Sequence, residues 1–149
     1  MQIREAVFND LSFIVEMLAD DPIAAKREAY GDPLPESYKT AFELIKKDPL
    51  HLLMVAEEEG KVIGTFQLSF LPYLTYQGRM RAQIEAVRIH KAHRSIGLGQ
   101  QFFEWAIAKS KDKGCHVLQL TTDKQRPDAF RFYEKLGFKA SHEGMKLHF

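Results

Sequence analysis

Only one cysteine, Cys115, stands among 149 residues. No disulfide can form within the chain, which reads as a reduced, cytosolic protein. Long apolar runs are also missing. Stretches such as HLLMVA, from His51 to Ala56, end well short of the roughly 20 residues that span a bilayer, so no membrane partner is expected. Neither sign of charge is in excess: 21 Lys and Arg against 20 Asp and Glu leave a net +1, which gives no reason to expect nucleic acid as a partner. The opening MQIREAVFND carries charges where a signal peptide needs its apolar stretch. No internal repeat and no interdomain linker interrupts the sequence. With 45% apolar residues, the expectation is one domain, 1–149, around one core.

What is present alternates between strand-like and helix-like segments. QIREAV is a short strand. Asp10 then stands where an N-cap belongs for LSFIVEMLAD, whose Leu11, Ile14, Val15 and Leu18 share one helical face. DDPIAAKREAYGDPLPESY is rich in Pro, Gly and charge and reads as a long loop, a feature that is usually functional or mobile. Ser37 is placed to cap a second helix, YKTAFELIKKD. Two apolar runs around Glu-Glu-Gly-Lys form a hairpin signal, and Pro72 to Gly78 form a further loop. MRAQIEAVRI and HVLQLTT are strands, each followed by a helix. Pro127 sits near the first turn of the last helix, and Gly137 sits where a left-handed residue ends it. The tail KASHEGMKLHF is expected to add one more strand. This order predicts an α/β fold with a mixed, mostly antiparallel central sheet flanked by helices.

The segment after MRAQIEAVRI places Gly97 and Gly99 at the start of a helix, although glycine costs a helix about 1 kcal/mol relative to alanine. That cost is tolerable where backbone must approach something closely. The first N–H groups of a helix have no internal partner, and the helix dipole adds positive charge there. Arg94 and Lys91 add formal charge on the approach. The inferred ligand carries phosphate, most naturally a pyrophosphate. A triphosphate-binding loop would need Lys and Ser or Thr after the second glycine, where Gln100 and Gln101 stand. A dinucleotide fingerprint needs a third small residue where Phe102 stands. Asp123 lies beyond the next strand at a suitable distance and keeps a dinucleotide-binding oxidoreductase open as an alternative.

MRAQIEAVRI changes phase. Ile84 and Ala86 lie on one face of a regular strand, Val87 and Ile89 on the other. Two readings fit: a β-bulge between Glu85 and Arg88, or a strand buried on both faces. The bulge would splay this fourth strand from the fifth, HVLQLTT, and open a V-shaped gap above the glycine turn.

These residues resemble a known family. VRIHKAHRSIGLG is similar to the Arg/Gln-x-x-Gly-x-Gly/Ala signature of the GCN5-related N-acetyltransferases, with Arg94, Gly97 and Gly99 in register. AFRFYEKLGF is similar to the family's later helix. The resemblance spans essentially the whole chain and implies acetyl-coenzyme A as co-substrate, with no metal. Its pyrophosphate would lie on Arg94, Ser95, Ile96, Gly97, Leu98 and Gly99. Its pantetheine arm would pair with Val87, Arg88 and Ile89. The family often has Asn where this chain has Arg126; either Arg126 takes over that contact to the cofactor, near a phosphate, or the contact is missing.

The same resemblance implies Glu85 as general base, acting directly or through water, and Tyr133 as the acid that protonates the leaving thiolate. Without it, Glu85 reads as an exposed strand carboxylate and Tyr133 as a core aromatic. Cys115 offers a covalent route, but His116 points to the opposite face of a strand. His90 and His93 lack the companions of a metal site. The acceptor is expected to be a primary amine on a small molecule, between the loops 20–37 and 72–78. Tyr30 and Tyr73 are expected to line it and Arg81 to attract an acidic substituent. A peptide acceptor, a non-catalytic acyl-coenzyme A sensor and a homodimer are also compatible with the sequence.

Overall fold

The computed structural model describes residues 1–94 and 97–149. Five strands form one sheet in the order β1 (Gln2–Glu5), β2 (His51–Glu58), β3 (Lys61–Pro72), β4 (Met80–Ile89) and β5 (Val117–Gln119). The first three pairings are antiparallel and β4 with β5 is parallel. Among the described residues, no helix is long and apolar enough to cross a membrane.

Alternation along the strands sorts side chains onto two faces. Met54, Ala56, Phe66, Leu68, Phe70, Ala82 and Ile84 point to one face and pack with Leu98, Phe102, Phe103 and Ala106 of α4 (Leu98–Asp112). Phe132, Tyr133 and Leu136, on α5 (Pro127–Lys135) and just after it, close the same cluster. On the other face Val55 meets Leu11, Ile14 and Val15 of α1 (Leu11–Ala19) and Phe42 of α2 (Glu36–Lys47). The β2–β3 turn carries positive φ at Glu59 and Gly60, 50° and 75°, as a two-residue hairpin turn requires.

Three expectations change. Asp10 occupies the N-cap position of α1 but makes no side-chain capping bond to it. It closes a preceding 3-10 turn, Phe8–Asp10, where its carboxylate accepts from the Val7 N–H at 2.8 Å and from Arg4 at 2.7 Å. The charged partner outcompetes a helix amide. Second, α2 begins at Glu36, directly after Pro35, so Ser37 falls inside its first turn. Third, the tail after Phe138 forms no strand. Met145, Leu147 and Phe149 alternate as a strand would, but all three stand in solvent. Alternation alone makes no strand without a paired edge. The loop from Pro72 also gains a short left-handed turn, α3 (Thr75–Gly78), with φ of 52°, 61° and 75° at Tyr76, Gln77 and Gly78.

Packing is tightest where β3 passes under α4. A Cβ on Gly64 would lie 2.6 Å from Phe102 Cζ and 3.1 Å from the Arg88 carbonyl oxygen. Phe102 is fully buried and cannot yield. Gly64→Ala is therefore expected to destabilise the domain by about 1–3 kcal/mol through overpacking. A lower urea midpoint at unchanged slope checks this, and an unchanged midpoint contradicts it.

Candidate active site

The parallel ladder between β4 and β5 ends after three pairs: Arg81 with Val117, Ala82 with Leu118, and Gln83 with Gln119. Beyond Gln83, β4 continues to Ile89 with no partner on that side among the described residues, and the two strands part. The cause lies inside β4. Opposite β3, Gln67 pairs with Glu85 but Thr65 pairs with Arg88, so β4 carries one extra residue. Ala86 absorbs it with φ of 52°, a left-handed conformation that alanine rarely adopts. This is the phase change that the sequence shows: Ile84 faces the α4 side before the bulge, and Val87 and Ile89 return to it afterwards. The bulge, and not burial on both faces, accounts for the pattern.

The glycine turn stands at the open end of the gap. Gly97, at φ of 83°, precedes α4 in a conformation suited to glycine. Leu98, Gly99 and Gln100 follow as the first helical residues, whose N–H groups have no intrahelical acceptor. At Gly99 a Cβ would meet only Ile89 Cδ1 at 3.5 Å and Phe132 Cζ at 3.6 Å, ordinary contacts. Nothing in the chain itself requires glycine there. Arg94 donates to the Ile89 carbonyl at 3.2 Å and pairs with Asp20 at 3.1 Å. Ser95 and Ile96, assigned to the same turn from sequence, lie outside the described residues.

Tyr133 reaches the gap from α5, half-buried, and no hydrogen bond engages its hydroxyl among the described residues. Burial pushes the phenol above its ordinary value. The nearby charges of Arg126 and Arg88 oppose that and Glu85 adds to it, leaving Tyr133 protonated well into alkaline solution. Glu85 is exposed and accepts from the Gln83 side-chain amide at 2.6 Å. Cys115, half-buried behind α4, has its thiol pushed up by burial, which leaves little thiolate for a covalent route.

Sequence reasoning missed an ion network. Asp21, just past α1 and almost fully buried, takes Arg88 at 2.8 Å, Arg126 at 2.5 Å and the Ile23 N–H at 3.1 Å. Burial works to raise its pKa, but the Arg126 hydrogen bond, the Ile23 N–H and the two positive charges hold it below the ordinary carboxylate value. Arg126, where the family pattern has Asn, thus ties the start of α5 to the loop after α1. The consecutive aspartates 20 and 21 were visible in the sequence, but their partners lie 67 residues or more away, beyond any local pattern.

The acceptor-side residues are spread along the rim. Tyr73 is exposed and stacks under Arg81, whose guanidinium carbon lies 4.6 Å from the ring centre. Tyr30 is exposed in the loop between α1 and α2, apart from that pair. Two surface hollows, one bordered by Phe42 and His51 and one by Phe8 and Pro33, include none of Glu85, Gly97 or Tyr133 in their walls.

Comparison with known proteins agrees with this geometry. A crystal structure of a transcriptional regulator from Bacillus halodurans C-125 is 58% identical, covers 99% of each chain and superposes with a TM-score of 0.97. A glucosamine 6-phosphate N-acetyltransferase of Trypanosoma brucei brucei is 35% identical over 89 residues, 59% of this chain and 58% of that one. This chain therefore matches little more than half the length of that enzyme. An aminoalkylphosphonate N-acetyltransferase of Salmonella typhimurium is 26% identical over 107 residues, 72% of this chain and 69% of that one. Residues 14–138, most of the chain and all of the gap, match the acetyltransferase (GNAT) family model, and the protein belongs to that family.

Proposed function

We propose that the protein transfers acetyl from acetyl-coenzyme A directly to the primary amine of a small molecule, both substrates being bound together. The observation that carries this reading is the parting of β4 from β5 at a bulge, with Glu85 beside it and Tyr133, whose hydroxyl has no hydrogen-bond partner among the described residues, near Glu85 and Arg88. The residues fit the donor. The amides at the start of α4 suit a diphosphate, and the absence of any internal reason for glycine at position 99 is what close approach of a ligand would leave. Val87, Arg88 and Ile89 have no strand partner on the gap side among the described residues, which suits an amide-bearing pantetheine arm, although the Val87 and Ile89 carbonyls accept from the Arg88 and Arg94 side chains. Arg94 and Arg126 flank it, each steadied by a carboxylate.

Acetyl-coenzyme A supplies an activated acetyl group as a thioester. Glu85 accepts a proton from the incoming ammonium so that its nitrogen lone pair attacks. A backbone N–H beside the bulge, near Val87, steadies the charge that develops on the carbonyl oxygen. Tyr133 gives its proton to the departing sulfur, and the second proton that the acylated nitrogen sheds on becoming an amide restores the phenol through solvent. A buried phenol suits that last task because it is fully protonated at neutral pH.

Initial rates of thiol release with both substrates varied test the scheme. Intersecting double-reciprocal lines are expected of direct transfer. Parallel lines would mean an acetylated enzyme and would overturn it. Bound donor with no amine-dependent thiol release would favour a non-catalytic acyl-coenzyme A sensor.

A further inference from the structure

The sheet face opposite α4 carries a row of polar side chains that the acetyl-transfer chemistry does not use. Four strands contribute in register. His51 stands opposite Ser69, Ser69 opposite Gln83, and Gln83 opposite Gln119. His51 Nδ1 and Ser69 Oγ lie 2.8 Å apart. The Gln119 amide donates to Gln83 Oε1 at 2.9 Å, and the Gln83 amide donates to Glu85 at 2.6 Å. These bonds fix the orientation of each group and leave further donors and acceptors on Gln83 and Gln119, while Ser69 is buried and engaged by His51 and Gln67. The row contains no carboxylate, lysine or arginine, and through Gln83 it adjoins the proposed base.

Arg81 stands at the other end of the same face. Its guanidinium lies over Tyr73 and 5.7 Å from the Tyr76 ring centre, and it donates to Thr75 Oγ1 at 3.2 Å. Its Nε is buried and has no partner, and no carboxylate lies within ion-pair distance among the described residues. An anion would meet the terminal guanidinium nitrogens, whose one hydrogen bond among the described residues goes to the neutral Thr75 hydroxyl. The other arginines near the gap differ in holding carboxylates, although Arg88 Nε is likewise buried and without a partner among the described residues. Arg88, Arg94 and Arg126 already hold Asp20 or Asp21. An incoming anion therefore finds Arg81 free.

We propose that the acceptor is a primary amine on a hydroxylated carbon frame that ends in a phosphate or phosphonate. The amine sits at Glu85, the hydroxyls on Gln83 and Gln119, and the oxyanion on Arg81. This deepens the acetyltransferase reading and rests on it. Glu85 and Arg81 are four residues apart, about 13 Å along the strand. Even with the reach of the arginine side chain, the two charged ends of the acceptor must be separated by several bonds.

Thiol release with glucosamine 6-phosphate, glucosamine and 2-aminoethylphosphonate tests this. The expected kcat/KM is highest for glucosamine 6-phosphate, about tenfold or more above each of the others, since a hydrogen bond to a charged group carries that much. In Arg81→Gln the ratio of glucosamine 6-phosphate to glucosamine falls towards one, and Arg81→Lys restores part of it. Thermal stabilisation by acetyl-coenzyme A reports whether each variant is folded. If both variants fail to fold, the ratio measured on the natural protein decides. Equal efficiency for the phosphorylated and plain sugar overturns the proposal, as does an unchanged ratio in a folded Arg81→Gln protein. Turnover of none of the three, with acetyl-coenzyme A still stabilising the protein, also overturns it while leaving the donor site intact. Failure of the donor to stabilise the protein instead defeats the underlying acetyltransferase reading.

Discussion

Replacing Tyr133 with phenylalanine is expected to lower kcat about 100-fold while leaving the Kd for acetyl-coenzyme A nearly unchanged. General acid catalysis contributes roughly 10²–10⁴-fold, and the low end applies here because a thiolate leaves more readily than an alkoxide or amide ion. The ring stays in place, so the packing of Phe103, Phe132 and Phe138 around it is kept. What is lost is a proton source held near Glu85 and two guanidinium groups. Single-turnover rates beside equilibrium binding of the donor separate the two effects. An equal loss of rate and donor affinity would make Tyr133 a binding residue. The natural protein should keep its rate up to about pH 10, because burial holds the phenol above its ordinary range. An alkaline fall near pH 8 assigned to Tyr133 would contradict this.

Asp21→Asn is expected to cost about 3 kcal/mol of stability. Removing one partner of a buried ion pair costs roughly 3–5 kcal/mol, because the remaining charge is left uncompensated. The low end is appropriate since the Arg126 side chain keeps 32% of its surface in water, and asparagine retains an acceptor. For a chain of this size that loss lowers the melting temperature by about 6–12 °C. The sign of the pH dependence follows from the lowered pKa of Asp21. Its contribution is complete above the ordinary carboxylate value near 4, and it is lost as pH falls through the still lower folded value. The difference between the natural protein and the Asp21→Asn variant should therefore shrink on acidification. A constant difference down to pH 2 would show that the carboxylate charge is not what matters. Calorimetric melts from pH 7 to 2 decide it.

Much of this architecture was legible because local rules governed it. The phase slip in MRAQIEAVRI located the irregularity but fitted a bulge and a doubly buried strand equally; the pairing with β3 and the left-handed Ala86 decide for the bulge. The Glu-Glu-Gly-Lys turn, Pro127 at a helix start and Gly137 at φ of 93° express backbone preferences that need no distant partner. Where the outcome depended on distant residues, the sequence was silent or misleading. Asp10 looks like a helix cap until Arg4 and Val7 are placed beside it. Arg126 shows no carboxylate partner in its own stretch of chain, because that partner, Asp21, stands 105 residues earlier. The row from His51 to Gln119 draws one residue from each of four strands. No spacing along the chain records that they align. Alternation in the tail made Met145, Leu147 and Phe149 resemble a strand, but a strand also needs a free edge in reach.

The account depends on one contact above all, that between backbone amides at the start of α4 and a diphosphate. Titration of isotopically labelled protein with acetyl-coenzyme A, read as amide chemical shifts, addresses it directly. The account requires the largest changes at Gly97 to Gln100 and along Val87 to Ile89, saturating with one equivalent of donor. Saturable binding that leaves those amides unmoved and shifts residues around Phe42 and His51 instead would contradict it.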